Sequence, residues 1–175
     1  MNTDPLDKLE AEVEHSMPLT TDFTLLILKG HLLVEAQLDR LITRMCEKPA
    51  MLDEARLSFF QKFCLTVALV NEDPADDDFW QKLRTLNKLR NQLAHRLEVE
   101  NIDAAAQAFV GAPPDEWMRW TLNKKAVALR EELIGICVQL IHFVDELFQE
   151  SRLSRLFQRI ETRICDAEKQ STTKT

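Results

Sequence analysis

The sequence predicts an all-α protein, and three observations carry that expectation. Apolar residues recur three and four positions apart over long segments, β-branched residues never gather into alternating runs, and the chain holds only three glycines. The six prolines (Pro5, Pro18, Pro49, Pro74, Pro113 and Pro114) fall between the periodic segments. There the missing donor and the clash with the preceding turn do least harm to a helix. Four to five main helices with mostly short connections are expected to pack as an antiparallel up-and-down bundle.

Taken in order, residues 5–15 have the pattern of a short acidic helix with a thin apolar stripe, expected to be weakly held. The stretch from about Thr21 to Cys46, "FTLLILKGHLLVEAQLDRLITRM", is apolar on most of its circumference and is placed centrally. Gly30 within it is expected to let another helix come close. A loop with Pro49 leads to a helix near 54–71, and "NEDPADDD" then makes a turn whose aspartates suit the N-terminal end of the following helix. That helix covers roughly 77–98. Residues 99–115 form the longest connection, with a possible short helix at "DAAAQAF" and a stop at "GAPP". A long helix is expected at about 116–149 and a last one near 152–169.

The organisation expected is one bundle over residues 20–170, between an acidic segment at 1–19 and a disordered tail at 171–175. No apolar run reaches the roughly 18 residues of a membrane span. The acidic start lacks the layout of a secretion signal, so a soluble cytoplasmic protein is the expectation. The four cysteines (Cys46, Cys64, Cys137, Cys165) stand singly, without a CxxC pair, and read as reduced, mostly buried small hydrophobes. A net charge of −7 argues against the whole surface being a nucleic-acid platform, though it leaves room for a local basic patch. Metal-ligand spacing, a Gly-rich phosphate loop and a GxSxG nucleophile are all missing. No cofactor is expected, and nucleotide hydrolysis and serine hydrolase chemistry are argued against.

The informative stretch is "LNKLRNQLAHRLE", residues 86–98. At about 100° per residue, Phe79, Leu83, Leu86, Leu89, Leu93 and Leu97 share one face, with Arg90 at its edge. Asn91 and His95, i and i+4 neighbours, fall on another side. An inward Arg90 needs an anion, and the central helix offers Glu35, with His31 one turn before it. A buried Glu35–Arg90 bridge is therefore expected, and its loss through Glu35→Ala would cost about 3 to 5 kcal/mol. Arg90, Asn91 and His95 together combine a fixed cation, an amide and a group titrating near neutrality. Those are parts for metal-free phosphodiester cleavage, in which histidine moves a proton and arginine neutralises charge on the phosphate.

The run Arg90-Asn91-Gln92-Leu93-Ala94-His95 resembles the R-x4-6-H motif of the HEPN superfamily, with its polar residue directly after the arginine. "KGHLLVEAQLDRLI" resembles that family's earlier helix with an embedded glutamate, and the likeness covers roughly residues 20–150. The resemblance implies a four- or five-helix bundle that forms a homodimer, with two motif helices meeting across the dimer axis. It also implies an endoribonuclease of toxin–antitoxin, phage-defence or RNA-processing type. Arg90 and His95 would be catalytic, Asn91 and Glu35 supporting, and an RNA substrate or a protein antitoxin the partner. One branch of the family carries a tyrosine after the motif as the target of adenylylation. Leu97 stands at that position, and the chain has no tyrosine, which excludes that mode of neutralisation. The family also includes non-catalytic members, and the mannitol-operon regulator group, acting in transcription regulation, is similar in size and form.

Around the motif, Lys82, Arg84, Lys88, Arg90 and Arg96 make a locally basic stretch. Lys88, Arg96 and Arg84 could hold an RNA backbone, or the stretch is a solvated face balanced by nearby acids. In the last helix Arg152, Arg155, Arg159 and Arg163 form a basic stripe beside Leu153, Leu156, Phe157 and Ile160. It suits nucleic acid, an acidic protein surface, or pairing with acids on a neighbouring helix. Trp117 and Trp120 either stack bases or cap the bundle end. His142 reads as a core or interface histidine, and His15 as inert.

Overall fold

The computed structural model describes the backbone of residues 4–70, 78–95 and 101–172, with side chains described to residue 149 apart from those of Asp53 and His95. Eight helices and no strand occur among the described residues. They are α1 (Pro5–Ser16), α2 (Phe23–Met45), α3 (Ala50–Ala55), α4 (Phe59–Val70), α5 (Asp78–His95), α6 (Ile102–Val110), α7 (Pro114–Arg119) and α8 (Leu122–Thr172). Several starts carry the expected signals. Asp4 and Asp22 accept from backbone N–H groups at α1 and α2, Asn101 does so at α6, and Pro5 and Pro114 open α1 and α7.

As its pattern predicts, α2 is central. Leu26, Ile27, Val34, Leu38 and Leu41 are all buried, and they face Leu129, Leu133, Ile136, Cys137 and Leu140 of α8. Gly30 sits at the contact. A Cβ there would come within 2.7 Å of a Leu133 methyl, so the close approach expected of this glycine is present. α5 contributes Trp80, Leu83, Leu86 and Leu89 to the same core, with Phe79 and Leu93 packed at its edge. Trp80 is fully buried and lies edge-on to Phe63, Phe79 and Phe143.

Three features depart from the expected arrangement. The two long helices run in the same direction, because Gly30 meets Leu133 while Arg44 meets Asp145 at 3.9 Å. α4 also follows α2 in direction, with Phe59 stacked on His31 and Lys62 bonded to Glu35 and Asp39. The up-and-down alternation is therefore interrupted where residues 46–58, including the unexpected α3, carry the chain back along the bundle. Second, Trp117 belongs to a separate turn, α7, and Trp120 follows it in extended conformation. Third, residues 122–172 form one uninterrupted helix of 51 residues rather than two. No helix or turn signal separates Glu150 from Arg152, so periodicity had marked a change of apolar face and not a break.

The first helix is better held than a thin stripe implies. Val13 is buried, the Arg130 guanidinium donates to the carbonyls of Glu14 and Met17, and His142 is 2.6 Å from Glu10. His142 is thus an exposed residue of α8, half accessible at 50%, and not a core histidine. Cys137 is buried, its thiol pushed up to about 12 by burial, whereas Cys64 is exposed and Cys46 intermediate. The turn at 71–77, Leu97, Arg96, the tail at 173–175, and the side chains of Cys165 and of Arg152, Arg155, Arg159 and Arg163 with their apolar neighbours lie outside the described residues. No helix among the described residues is long and apolar enough to cross a membrane.

Candidate functional site

The last turns of α5 carry the motif, and the structure places its arginine on the surface. Arg90 and Asn91 are exposed, and the Arg90 Nη1 donates to Asn91 Oδ1 at 3.2 Å. Helix phase alone puts Arg90 at the core edge. The core, however, fades along this helix: Leu83 and Leu86 are sealed, Leu89 is 8% accessible and Leu93 only partly buried. A position that faces the interior near Trp80 therefore faces solvent two turns later. The His95 backbone closes the described helix; its side chain lies outside the described residues, and so does Arg96.

Glu35 does not bridge to Arg90. Its Oε1 accepts from Lys62 Nζ at 2.9 Å, and the same ammonium reaches Asp39 Oδ2 at 2.7 Å. Lys62 and Asp39 are the residues sequence reading missed. The available signal was an i, i+4 pair of carboxylates on α2 with a lysine, the only charged residue of α4, in that helix's first turn. Burial disfavours the Lys62 ammonium, but hydrogen bonds to Asp39 and Glu35 outweigh it and raise its pKa above the usual value.

Between this ion cluster and the motif lies His31, 3% accessible. Its ring stacks on Phe59, its Nε2 is 3.4 Å from Asn87 Oδ1, and its Nδ1 is 3.9 Å from Glu35 Oε2. With the Asn87 amide oxygen at Nε2, that nitrogen is the donor of the pair. Burial is the main force lowering the His31 pKa, opposed by the Asn87 hydrogen bond and Glu35 and assisted by the charges of Arg90 and Lys62. Asn87, one turn before Arg90 and Asn91, thus ties the motif helix to α2. His31, Asn87, Glu35, Lys62 and Asp39 form a polar seam beneath an exposed Arg90–Asn91 pair.

The other basic residues sort simply. Arg84 lies over the Phe63 ring at 5.2 Å, and Lys88 is exposed on the side of α5 away from Leu86 and Leu89. Lys82 instead binds Glu132 at 2.6 Å, which with Asp78 raises its pKa. The tryptophans are held structurally. Trp117 is buried, packs near Phe23 and donates to Asp103 Oδ2 at 2.9 Å, while Lys125 binds the same carboxylate. Trp120 lies half-buried beside it, covered by Lys124 at 4.2 Å. These contacts favour the bundle-capping alternative over base stacking.

Among the described residues no three His, Cys, Asp or Glu side chains are grouped to hold a metal ion. Two clefts among the described residues lie away from Arg90. One of about 660 Å³ opens between α5, α6 and α8, lined by Asp78, Lys82, Glu131 and Glu132 among others, and another flanks Arg130 and Leu19. In comparison with known proteins, the chain matches no family model, no curated protein and no solved structure.

Proposed function

We propose that the protein is a metal-independent endoribonuclease of the HEPN type, acting as a homodimer in which two copies of Arg90, Asn91 and His95 line one cleft. The observation that carries this reading is the exposed Arg90–Asn91 pair, five and four residues before His95 on α5. A surface guanidinium steadied by a neighbouring amide suits a phosphate, which it can neutralise as charge builds during cleavage. His95 would move the proton of the attacking 2′-hydroxyl or of the leaving group. Glu35 supports the site indirectly, by holding Lys62 beside His31, and Lys88 and Arg84 offer backbone contacts at low salt.

The experiment is RNA cleavage in EDTA by wild type, His95→Ala and Arg90→Ala, with folding of each variant checked by circular dichroism. Activity lost in a folded His95→Ala protein supports the nuclease; a wild type inactive on structured and single-stranded RNA refutes it. One observation favours a second reading, a non-catalytic regulator of the mannitol-operon type: the 660 Å³ cleft lies on the α5–α6–α8 side, apart from Arg90. That reading expects an effector protein or nucleotide to be affected by substitutions at Glu131 or Lys82 and not at Arg90. Toxin or defence context belongs to the first reading, transcription regulation to the second.

A further inference from the structure

The outer faces of α4 and α5 carry cations and an aromatic ring with no carboxylate between them. α4 contains no acidic residue and α5 none after Asp78, although the chain as a whole has a net charge of −7. On α5, Arg84, Lys88 and Asn91 are exposed and spaced four and three apart, which sets them on one stripe of the helix. Position 95 continues that stripe. Lys62 and Lys82 are neutralised by carboxylates, whereas no ion pair to Arg84, Lys88 or Arg90 occurs among the described residues.

Phe60, the second residue of α4, stands beside this stripe and is 56% accessible. The core does not need it, because Phe59 and Phe63 bury the apolar side of α4. Its ring stacks on that of Phe63, with 6.2 Å between centroids and 20° between planes. The Arg84 guanidinium lies over the same Phe63 ring at 5.2 Å. His31 fixes the register of the two helices, since it stacks on Phe59 and meets Asn87. Phe60 and Lys88, each the next residue along, therefore come level with one another. From Lys88 to position 95 the helix rises about 10 Å, within a few nucleotides of the platform. An aromatic ring steadied by a neighbour and flanked by cations suits an unpaired base whose phosphates meet the charges. The bases of a duplex are already stacked on each other and offer such a ring no free face.

We propose that Phe60 is a base-stacking platform for single-stranded RNA, with Arg84 and Lys88 holding the phosphates beside it. The strand then runs along α5 to Arg90 and Asn91. The substrate class is accordingly an RNA with an unpaired base a few nucleotides from the cleaved bond. This deepens the nuclease reading and rests on it for the choice of RNA, but the binding step can be measured without cleavage.

The test is fluorescence anisotropy of the full chain in EDTA with an unstructured 2′-O-methyl RNA of about ten nucleotides, and with its duplex. The methyl group removes the hydroxyl that cleavage requires. Wild type should bind the single strand more tightly than the duplex. Phe60→Ala should weaken the single strand about tenfold and leave the duplex unchanged, and Phe60→Trp should keep the wild-type affinity. Arg84→Gln and Lys88→Gln should each lower the slope of log affinity against log salt by about one. Absence of binding by the wild type, or single-strand binding unchanged in Phe60→Ala, overturns the proposal. So does a change of oligomeric state in Phe60→Ala by sedimentation, which would make this face a contact between subunits. Ordinary RNA bound through Phe60 but left uncleaved refutes the nuclease and keeps the platform; RNA cleaved and bound independently of Phe60 does the reverse.

Discussion

Replacing Glu35 by alanine separates two accounts of what this carboxylate does. If it neutralised a buried Arg90, its loss would strand a charge at a cost of about 3 to 5 kcal/mol. In the structure its partner is Lys62, 14% accessible, and Glu35 itself is 26% accessible. Asp39 stays 2.7 Å from the same ammonium after the substitution. The expected loss is therefore about 1 kcal/mol, near the upper end for partly exposed pairs. Removing both carboxylates leaves the Lys62 ammonium half-enclosed and unpaired, so Glu35→Ala/Asp39→Ala should cost more than the sum of the single changes. Urea unfolding of the single and double variants measures this directly, and two double-mutant cycles assign the partner. The cycle of Glu35→Ala with Lys62→Met should give a coupling of roughly 1 kcal/mol, and that with Arg90→Met should give near zero. A single-variant loss above 3 kcal/mol, or a coupling to Arg90 as large as that to Lys62, would refute the assignment.

Two further outcomes follow from the same packing. Gly30→Ala gains about 1 kcal/mol of helix propensity, but its Cβ would press the buried Leu133 methyls at 2.7 and 2.9 Å. Overpacking of this kind costs about 1 to 3 kcal/mol, so the variant should unfold at lower temperature. In a Leu133→Ala background the same substitution should stabilise; thermal melts showing a gain in both backgrounds would contradict the close helix contact. His31 supplies a pH dependence. Its folded pKa is lowered from 6.5, so below that value the unfolded chain binds a proton that the folded one resists. Stability should therefore be full above pH 6.5 and fall as pH drops toward the folded pKa, a slope that His31→Gln removes in urea titrations at stepped pH. An unchanged slope in the variant would mean that His31 is not the group responsible.

Much of this fold is legible along the chain because helix formation is a local matter. Apolar spacing located α2, α5 and the core part of α8, and the prolines marked boundaries at Pro5 and Pro114. Gly30 could be read as a point of close approach because a glycine inside a long apolar helix has few other uses. The exposed Asn91 was legible too, from helix phase alone. Partner choice was not. Arg90 and Lys62 are both cations within reach of Glu35 by sequence reasoning. The return of residues 46–58 along the bundle decided between them by laying α4 beside α2. Phase arithmetic put Arg90 inside because it treats a helix as equally covered along its length, and only the packing shows that cover ending past Leu89.

The chain by itself determined an all-helical protein, a central α2, and a polar motif near the end of α5. Each depends on periods and propensities that act over a few residues. Tertiary structure decided that α2, α4 and α8 run alike, that His31 is buried against Asn87, and that Arg90 stands in solvent. Burial and charge pairing depend on which distant segments share a neighbourhood, and that is set by the summed packing of the whole core.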